Sequence, residues 1–216
     1  MTPYYQDETV TLYHGDCREV TEWLSADVLV TDPPYGMAYV SNSSKHGSTE
    51  PIVGDSDPKV RDRILEAWGD RPALAFGTWR ATRPAATRQL IVWDKGDSPG
   101  MGDLSMPWGP AHEEVYVLGE GFTGKRRPNL YRVPTIGAQD KRRPNHPTPK
   151  PTRRMEELIS YCPPGTIADP FAGSGSTLVA AKSLGRKAIG VELEERYCEI
   201  AARRLSQGVL DLGGAS

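Results

Sequence analysis

Four short apolar runs in this chain stop at an acidic residue. Val10-Thr11-Leu12-Tyr13 leads through His14-Gly15 to Asp16, and Val28-Leu29-Val30-Thr31 leads to Asp32. Thr166-Ile167-Ala168 leads to Asp169, and Lys187-Ala188-Ile189-Gly190-Val191 leads to Glu192. Their near-continuous apolar character suits strands covered on both faces. The runs 73–76, 90–93 and 114–118 read the same way. Helical stretches are expected at about 58–68, 151–161, 175–185 and 193–206, the last with Leu193, Tyr197, Ile200, Ala201 and Leu205 at helical spacing. Alternating strands and helices with short links predict an α/β fold: a seven-stranded, mostly parallel, doubly wound sheet with helices on both faces. Ligands of such sheets bind at the carboxyl ends of the strands. One acid there is an ordinary helix cap. Four on one rim repel each other unless ligands occupy them.

A chain of 216 residues with 38% hydrophobic content supports one core, so a single domain over 1–216 is expected. No run of 18 apolar residues is present, and Met1–Asp7 lacks the apolar stretch of a signal peptide. Cys17, Cys162 and Cys198 are scattered and odd in number, as free thiols of an intracellular protein are. No Cys-x-x-Cys or His cluster has metal-ligand spacing, so no metal is expected.

Asp169-Pro170-Phe171-Ala172-Gly173-Ser174-Gly175-Ser176-Thr177 joins an expected strand to an expected helix. Its glycines permit a tight turn and close backbone approach, and the helix start presents unpaired N–H groups. Glu192, at the next strand end, stands where a ribose diol is commonly held. Together these suggest an adenosine-bearing cofactor. The dinucleotide fingerprint is incomplete, because Thr177-Leu178 stands where a third Gly is expected, and no Gly-Lys-Ser/Thr of a P-loop is present.

Thr31-Asp32-Pro33-Pro34-Tyr35-Gly36 is the second constellation. Two prolines after a strand end remove backbone donors and stiffen the turn. The Asp32 carboxylate and the Pro33 carbonyl then form adjacent acceptors, which suit an NH₂ group with two hydrogens to donate. Tyr35 offers a flat face for a base. A rigid turn with a capping Asp is the plainer alternative.

Taken in order, these segments resemble the amino-methyltransferases of DNA, which modify adenine at N6 or cytosine at N4. Asp32-Pro33-Pro34-Tyr35 is similar to the family's catalytic motif, and residues 169–177 to its cofactor motif. Glu192-Leu193 resembles the ribose-binding strand end, and His14-Gly15-Asp16-Cys17 the segment that holds the cofactor adenine. His146-Pro147-Thr148-Pro149-Lys150-Pro151 resembles the His-Pro-Thr-x-Lys-Pro element, for which a cofactor-side role of His146, Thr148 and Lys150 is expected. The catalytic motif precedes the cofactor motif, as in the permuted β group. The resemblance implies S-adenosyl-L-methionine as cofactor, DNA as partner, a cytoplasmic bacterial or phage-encoded enzyme and a possible homodimer. It also implies transfer to the N6 amino group of adenine, since the cytosine-N4 enzymes more often carry Ser-Pro-Pro-Tyr. A non-catalytic DNA-binding protein of the same fold is the alternative from another class.

A duplex buries the amino group, so the base must be flipped, and flipping needs a hold on the backbone. Phe122–Arg154 carries ten Lys or Arg residues and one acid, Asp140. Within it, Lys125, Arg126, Arg127, Arg132, Lys141, Arg142 and Arg143 are the expected phosphate contacts. Loop-like stretches at 38–57 and 119–144 are candidate target-recognition insertions. Trp93-Asp94-Lys95-Gly96 is read as pocket lining or core, and His112-Glu113 as structural. Pro follows Cys162 and never precedes a cysteine, which disfavours a covalent cysteine mechanism.

Overall fold

The computed structural model describes residues 1–35, 59–96, 105–132 and 150–207. The strands are β1 (Tyr5–Gln6), β2 (Val10–His14), β3 (Val28–Thr31), β4 (Ala73–Gly77), β5 (Gln89–Asp94), β6 (His112–Leu118), β7 (Leu130–Arg132), β8 (Ile167–Asp169) and β9 (Ala188–Glu192). The helices are α1 (Val60–Trp68), α2 (Thr152–Ile159), α3 (Ser176–Ser183) and α4 (Glu195–Ser206), with a 3-10 turn at Glu22–Ser25. All seven expected strands and all four expected helices form, within a few residues of the expected bounds.

The strands make one sheet in the order β1-β2-β9-β8-β3-β4-β6-β5-β7. Among the described residues it has nine strands, where seven were expected. The two additions are the short edge strands β1, antiparallel on β2, and β7, parallel on β5. From β2 to β4 every pairing is parallel, while β6 runs antiparallel between β4 and β5. Its reversed direction brings the start of β6 to the end of the sheet where β3, β4, β8 and β9 finish.

Period-two alternation places the two cores. Val28 and Val30 of β3 face a layer built from Met155, Leu158 and Ile159 of α2, Leu178 and Ala181 of α3, and Cys198, Ala201 and Leu205 of α4. Leu29 faces the other way, onto Trp23, Ile64 and Trp68. Trp23 and Trp68 stack there with centroids 5.9 Å apart. Helices therefore cover both faces, the Rossmann-like arrangement that a sheet of continuous apolar strands requires. No helix among the described residues is long and apolar enough to cross a membrane.

Candidate active site on the carboxyl rim

Strands β2, β9, β8 and β3 are neighbours, so Asp16, Glu192, Asp169 and Asp32 stand side by side on one rim. At the usual strand spacing this row spans about 15 Å. Each acid is held differently, and the difference indicates what each can do.

Asp169 ends β8 and is almost fully buried. It accepts hydrogen bonds from Thr31 Oγ1 at 2.8 Å and from the Phe171 backbone N–H at 3.1 Å. Burial pushes its carboxyl up to about 7, against the hydrogen bonds from Thr177 and Thr31. Its contacts shape the turn that follows. In that turn Gly173 and Gly175 adopt φ of 51° and 80°, in the left-handed region. A Cβ on Gly175 would lie 2.9 Å from the Ala201 Cβ of α4. Only glycine lets the loop pass this close before α3 begins.

Glu192 closes the same loop from β9. Its two oxygens accept the Gly173 N–H at 2.7 Å and the Glu194 N–H at 2.8 Å. Burial pushes its carboxyl up. A carboxylate offers about four acceptor sites, so two internal bonds leave capacity for a diol. Leu193, the next residue, is half exposed, and its carbonyl lies 3.1 Å from His14 Nε2. Asp16 is gripped by Arg18, whose Nε lies 2.9 Å and 3.0 Å from its two oxygens, and these bonds lower its carboxyl. The buried Cys17 thiol is pushed up to about 12, so it stays protonated, and the Cys17 carbonyl accepts Trp23 Nε1 at 2.9 Å.

Sequence reasoning missed Arg204. From α4 its guanidinium reaches the Ser174 carbonyl, lies 3.3 Å from the hydroxyls of Ser174 and Ser176, and donates to Thr152 Oγ1 at 3.0 Å. Burial pulls it down to about 10. One side chain thus ties the glycine loop to the starts of α2 and α3. The only advance signal is its place on the polar edge of the last helix.

Asp32 follows β3, with Pro33 buried directly after it. Its Oδ1 accepts the Tyr35 hydroxyl at 2.7 Å, and its Oδ2 accepts Lys150 Nζ at 2.6 Å. Burial, together with Asp32 and Glu113, raises the Tyr35 phenol well above its ordinary range, so it remains a donor. Lys150 stands just before α2 and was expected on the cofactor side. Its ammonium lies instead between Asp32 and Glu113, 2.8 Å from Glu113 Oε2 and 4.5 Å from the Phe76 ring centroid. Lys95 reaches the other Glu113 oxygen at 2.5 Å. Burial alone would lower Lys150, but Asp32 and Glu113 outweigh it and raise the ammonium above its usual range. Burial would likewise raise Glu113, but Lys150 and Lys95 hold it well below the usual carboxylate range. Glu113 comes from the start of β6, which the reversed strand delivers to the rim.

The remaining expected residues fall into three groups. Phe171, Ala172, Ser174, Ser176 and Thr177 lie in the loop and first turn of α3 as the motif implies, and Ala172 N–H bonds the Val191 carbonyl at 2.9 Å. His146, Thr148, Lys141, Arg142 and Arg143 lie outside the described residues, as does the candidate insertion 38–57. Lys125, Arg126 and Arg127 follow the finish of β6, whose Leu118 pairs with Ala73 at the start of β4. They therefore sit toward the opposite end of the sheet from Asp32. Arg127 is bonded to Glu157 and lies 4.2 Å over the Tyr131 ring. Arg132 returns to the rim on β7, where it bonds Asp94 at 3.0 Å. Trp93 packs in the core, 5.2 Å from Phe76 and 6.1 Å from Tyr131 between ring centroids. The buried Cys162 thiol is pushed up to about 12, far from a nucleophilic thiolate.

The rim also carries exposed apolar groups. Trp79 follows β4 and is 57% exposed, and Met106 and Trp108 precede β6 at 54% and 80%. The loop after β4 is pinned from beneath: Arg61 donates to the Thr82 carbonyl at 2.7 Å, and Arg83 makes a two-pronged pair with the buried Glu114. The Arg80 guanidinium lies 5.2 Å from the centroid of Trp79.

Comparison with known proteins agrees with this geometry. The DNA methylase family matches residues 107–203. The type II methyltransferase M2.DpnII of Streptococcus pneumoniae is 39% identical, over 94% of this chain and 92% of its own. The DNA adenine methyltransferase YhdJ of Escherichia coli (strain K12) is 37% identical, over 93% of this chain and 84% of its own. Among solved structures, the M1.HpyAVI–SAM complex is 22% identical with a TM-score of 0.62, covering 90% of this chain and 99% of that one. The PvuII cytosine-N4-specific DNA methyltransferase is 17% identical with a TM-score of 0.64, covering 99% and 90%. These two likenesses speak to the fold. Relatives above 30% identity run along nearly the whole chain, and this protein belongs to the family of DNA methyltransferases that act on adenine or on cytosine N4.

Proposed function

We propose that this chain methylates the exocyclic N6 amino group of adenine in duplex DNA, with S-adenosyl-L-methionine as methyl donor. The observation that carries this reading is the juxtaposition of the Asp32 turn with the glycine loop, on adjacent strands of one rim. Thr31, the residue before Asp32, bonds Asp169, the first residue of the loop, so the two motifs are held in one unit. The loop suits the cofactor: two glycines hold it open, the start of α3 presents N–H groups, and Glu192 keeps acceptor capacity for a ribose. Asp169, Phe171, Ala172, Gly173, Ser174, Gly175, Ser176 and Thr177 would hold its amino-acid part. Asp16, Cys17, Glu192 and Leu193 would hold its adenosine. When bound, the cofactor supplies an electrophilic methyl group on a sulfonium.

The residues of the chain then act on the base. The adenine amino nitrogen is a poor nucleophile because its lone pair is delocalised into the ring. Donating one N–H to Asp32 and the other to the Pro33 carbonyl favours a pyramidal nitrogen with a freer lone pair. The amino nitrogen so held would accept the methyl group in place of the sulfonium sulfur, and Asp32 would face the positive charge that N6 then carries. The methylated nitrogen is then strongly acidic and loses one proton to Asp32 or to water. Catalysis is orientation plus electrostatics, with no strong base required.

The base must leave the duplex to reach Asp32, and Tyr35, bonded to Asp32, would offer the face on which it stacks. DNA would approach over the rim, with Trp79, Arg80 and Trp108 as its contacts there. YhdJ is named a DNA adenine methyltransferase, which supports adenine over cytosine. A cytoplasmic, bacterial or phage-encoded setting is part of the same proposal, and the bacterial source of YhdJ supports the bacterial origin. The test is methyl transfer from labelled S-adenosylmethionine to unmethylated duplex DNA, with nucleoside analysis of the product. N6-methyladenine is expected; N4-methylcytosine would overturn the choice of base, and no transfer would overturn the activity.

A further inference from the structure

Asp32 is already in use. Its Oδ2 is bonded to the Lys150 ammonium at 2.6 Å, and its Oδ1 to the Tyr35 hydroxyl at 2.7 Å. An adenine amino group needs one of these acceptors. An ammonium is a donor-only, tetrahedral, positively charged nitrogen. N6 acquires these properties as it takes the methyl group. With respect to Asp32, Lys150 therefore occupies the position of the reacting amino group in both charge and hydrogen bonding.

A cation left there during transfer would oppose the positive charge developing on N6. It needs somewhere to go that does not cost it its counter-ion. Glu113 offers that place: its Oε2 is already 2.8 Å from the same Nζ. The charged groups facing Lys150 among the described residues are Asp32 and Glu113, with Lys95 behind Glu113 and the Tyr35 phenol behind Asp32. Lys150 and Glu113 have side chains only 13% and 15% exposed, so screening by water is limited and loss of one partner is felt by the other.

We infer that Lys150 is a placeholder for the substrate amino group, which yields Asp32 to the flipped base by transferring its hydrogen bonding to Glu113. Glu113 is thus a positioning residue: it touches no substrate and acts through Lys150. The inference rests on the reading of Asp32 as the acceptor of the amino group. No covalent step is involved. The exchange moves one hydrogen bond, leaves all charges as they are, and frees Oδ2 while Tyr35 keeps Oδ1 in place. Without a base, the same contact keeps Asp32 paired on a rim crowded with carboxylates.

The test is the single-turnover methylation rate on unmethylated duplex DNA at saturating labelled S-adenosylmethionine. Glu113→Gln leaves Lys150 with Asp32 as its one full counter-ion, and the rate is expected to fall about 10- to 100-fold, with cofactor affinity unchanged. Adding Lys150→Met is expected to reverse part of that loss, so that the double variant is faster than Glu113→Gln alone. Glu113→Asp, which keeps the carboxylate, should recover activity. A double variant as slow as Glu113→Gln or slower, or a Glu113→Gln enzyme with the wild-type rate, would overturn the inference. If Glu113→Gln fails to fold, the wild-type chain supplies the measurement: the ¹⁵Nζ resonance of Lys150, assigned by its loss in Lys150→Met, must shift when duplex DNA and a non-reactive cofactor analogue are added together, and an unmoved resonance would contradict the exchange. Asp32→Ala run alongside separates the failures: an active Asp32→Ala enzyme would sink the underlying reading, whereas an inactive one beside a wild-type Glu113→Gln rate would sink only the placeholder.

Discussion

At the end of the sheet where Asp16, Glu192, Asp169 and Asp32 stand, acids are held by contacts that a ligand can replace or add to. At the other end, arginines close off backbone carbonyls and have no such freedom. Arg186 donates to the carbonyls of Pro163 and Gly165, each at 2.7 Å. Arg71 lies 3.5 Å over the Trp68 ring and donates to the carbonyls of Leu24 and Ala26 at 2.9 Å and 2.8 Å. Arg127 pairs with Glu157. Those three arginines hold loops together, whereas Glu192 on the rim accepts two backbone N–H groups and keeps acceptor capacity. On the proposed reading DNA approaches over the rim, and positive charge counted along the sequence does not by itself locate that path. What matters is whether the charge has already been spent on the fold, and which end of the strands it reaches.

Substitutions can break this contrast, beginning with the largest effect. Asp32→Ala is expected to lower methyl transfer by about a thousand-fold or more, since the acceptor for the amino group is lost, while S-adenosylmethionine affinity by calorimetry stays within about threefold. Gly175→Ala places a Cβ in a left-handed turn 2.9 Å from Ala201, so cofactor affinity should fall about tenfold and stability by about 1–2 kcal/mol. Paired Trp79→Ala and Trp108→Ala changes should weaken DNA binding by about tenfold, on the scale of a lost aromatic–base contact. The pair Lys125→Ala and Arg126→Ala, at the other end, should change it by less than about twofold. Equal losses from the two pairs would erase the distinction between the ends.

The smallest effect concerns pH. Burial lifts the Asp169 carboxyl to about 7, above its unfolded value of 3.8, so the folded state binds the proton more tightly. The corresponding stabilisation is full below about pH 4 and is lost as pH rises through about 7. Asp169→Asn should flatten that part of the profile of melting temperature against pH, and an unchanged profile would contradict it.

Much of this fold was legible in the sequence because continuous apolar strands and amphipathic helices announce themselves over five or more residues. The edge strands β1 and β7 did not, having two and three residues and no periodicity to read. The motifs located the Asp32 turn and the glycine loop, because proline and glycine at those positions have few other uses. The partnership of Lys150 with Asp32 and Glu113 was not legible, since it joins residues 118 and 37 positions apart in the chain. Glu113 reaches the rim only because β6 runs against its neighbours, and strand direction is not written in the seven residues of that strand. The same reversal carries Lys125, Arg126 and Arg127, the expected phosphate contacts, toward the end of the sheet away from Asp32.

The measurement that tests the account most directly is photo-crosslinking of bound duplex DNA carrying 5-iodouracil, with the attached residues mapped by mass spectrometry in the presence of a non-reactive cofactor analogue. The account predicts attachment on the carboxyl rim, at Tyr35, Trp79 or Trp108. Attachment confined to the segment around Lys125–Arg127, with the rim untouched, would contradict it.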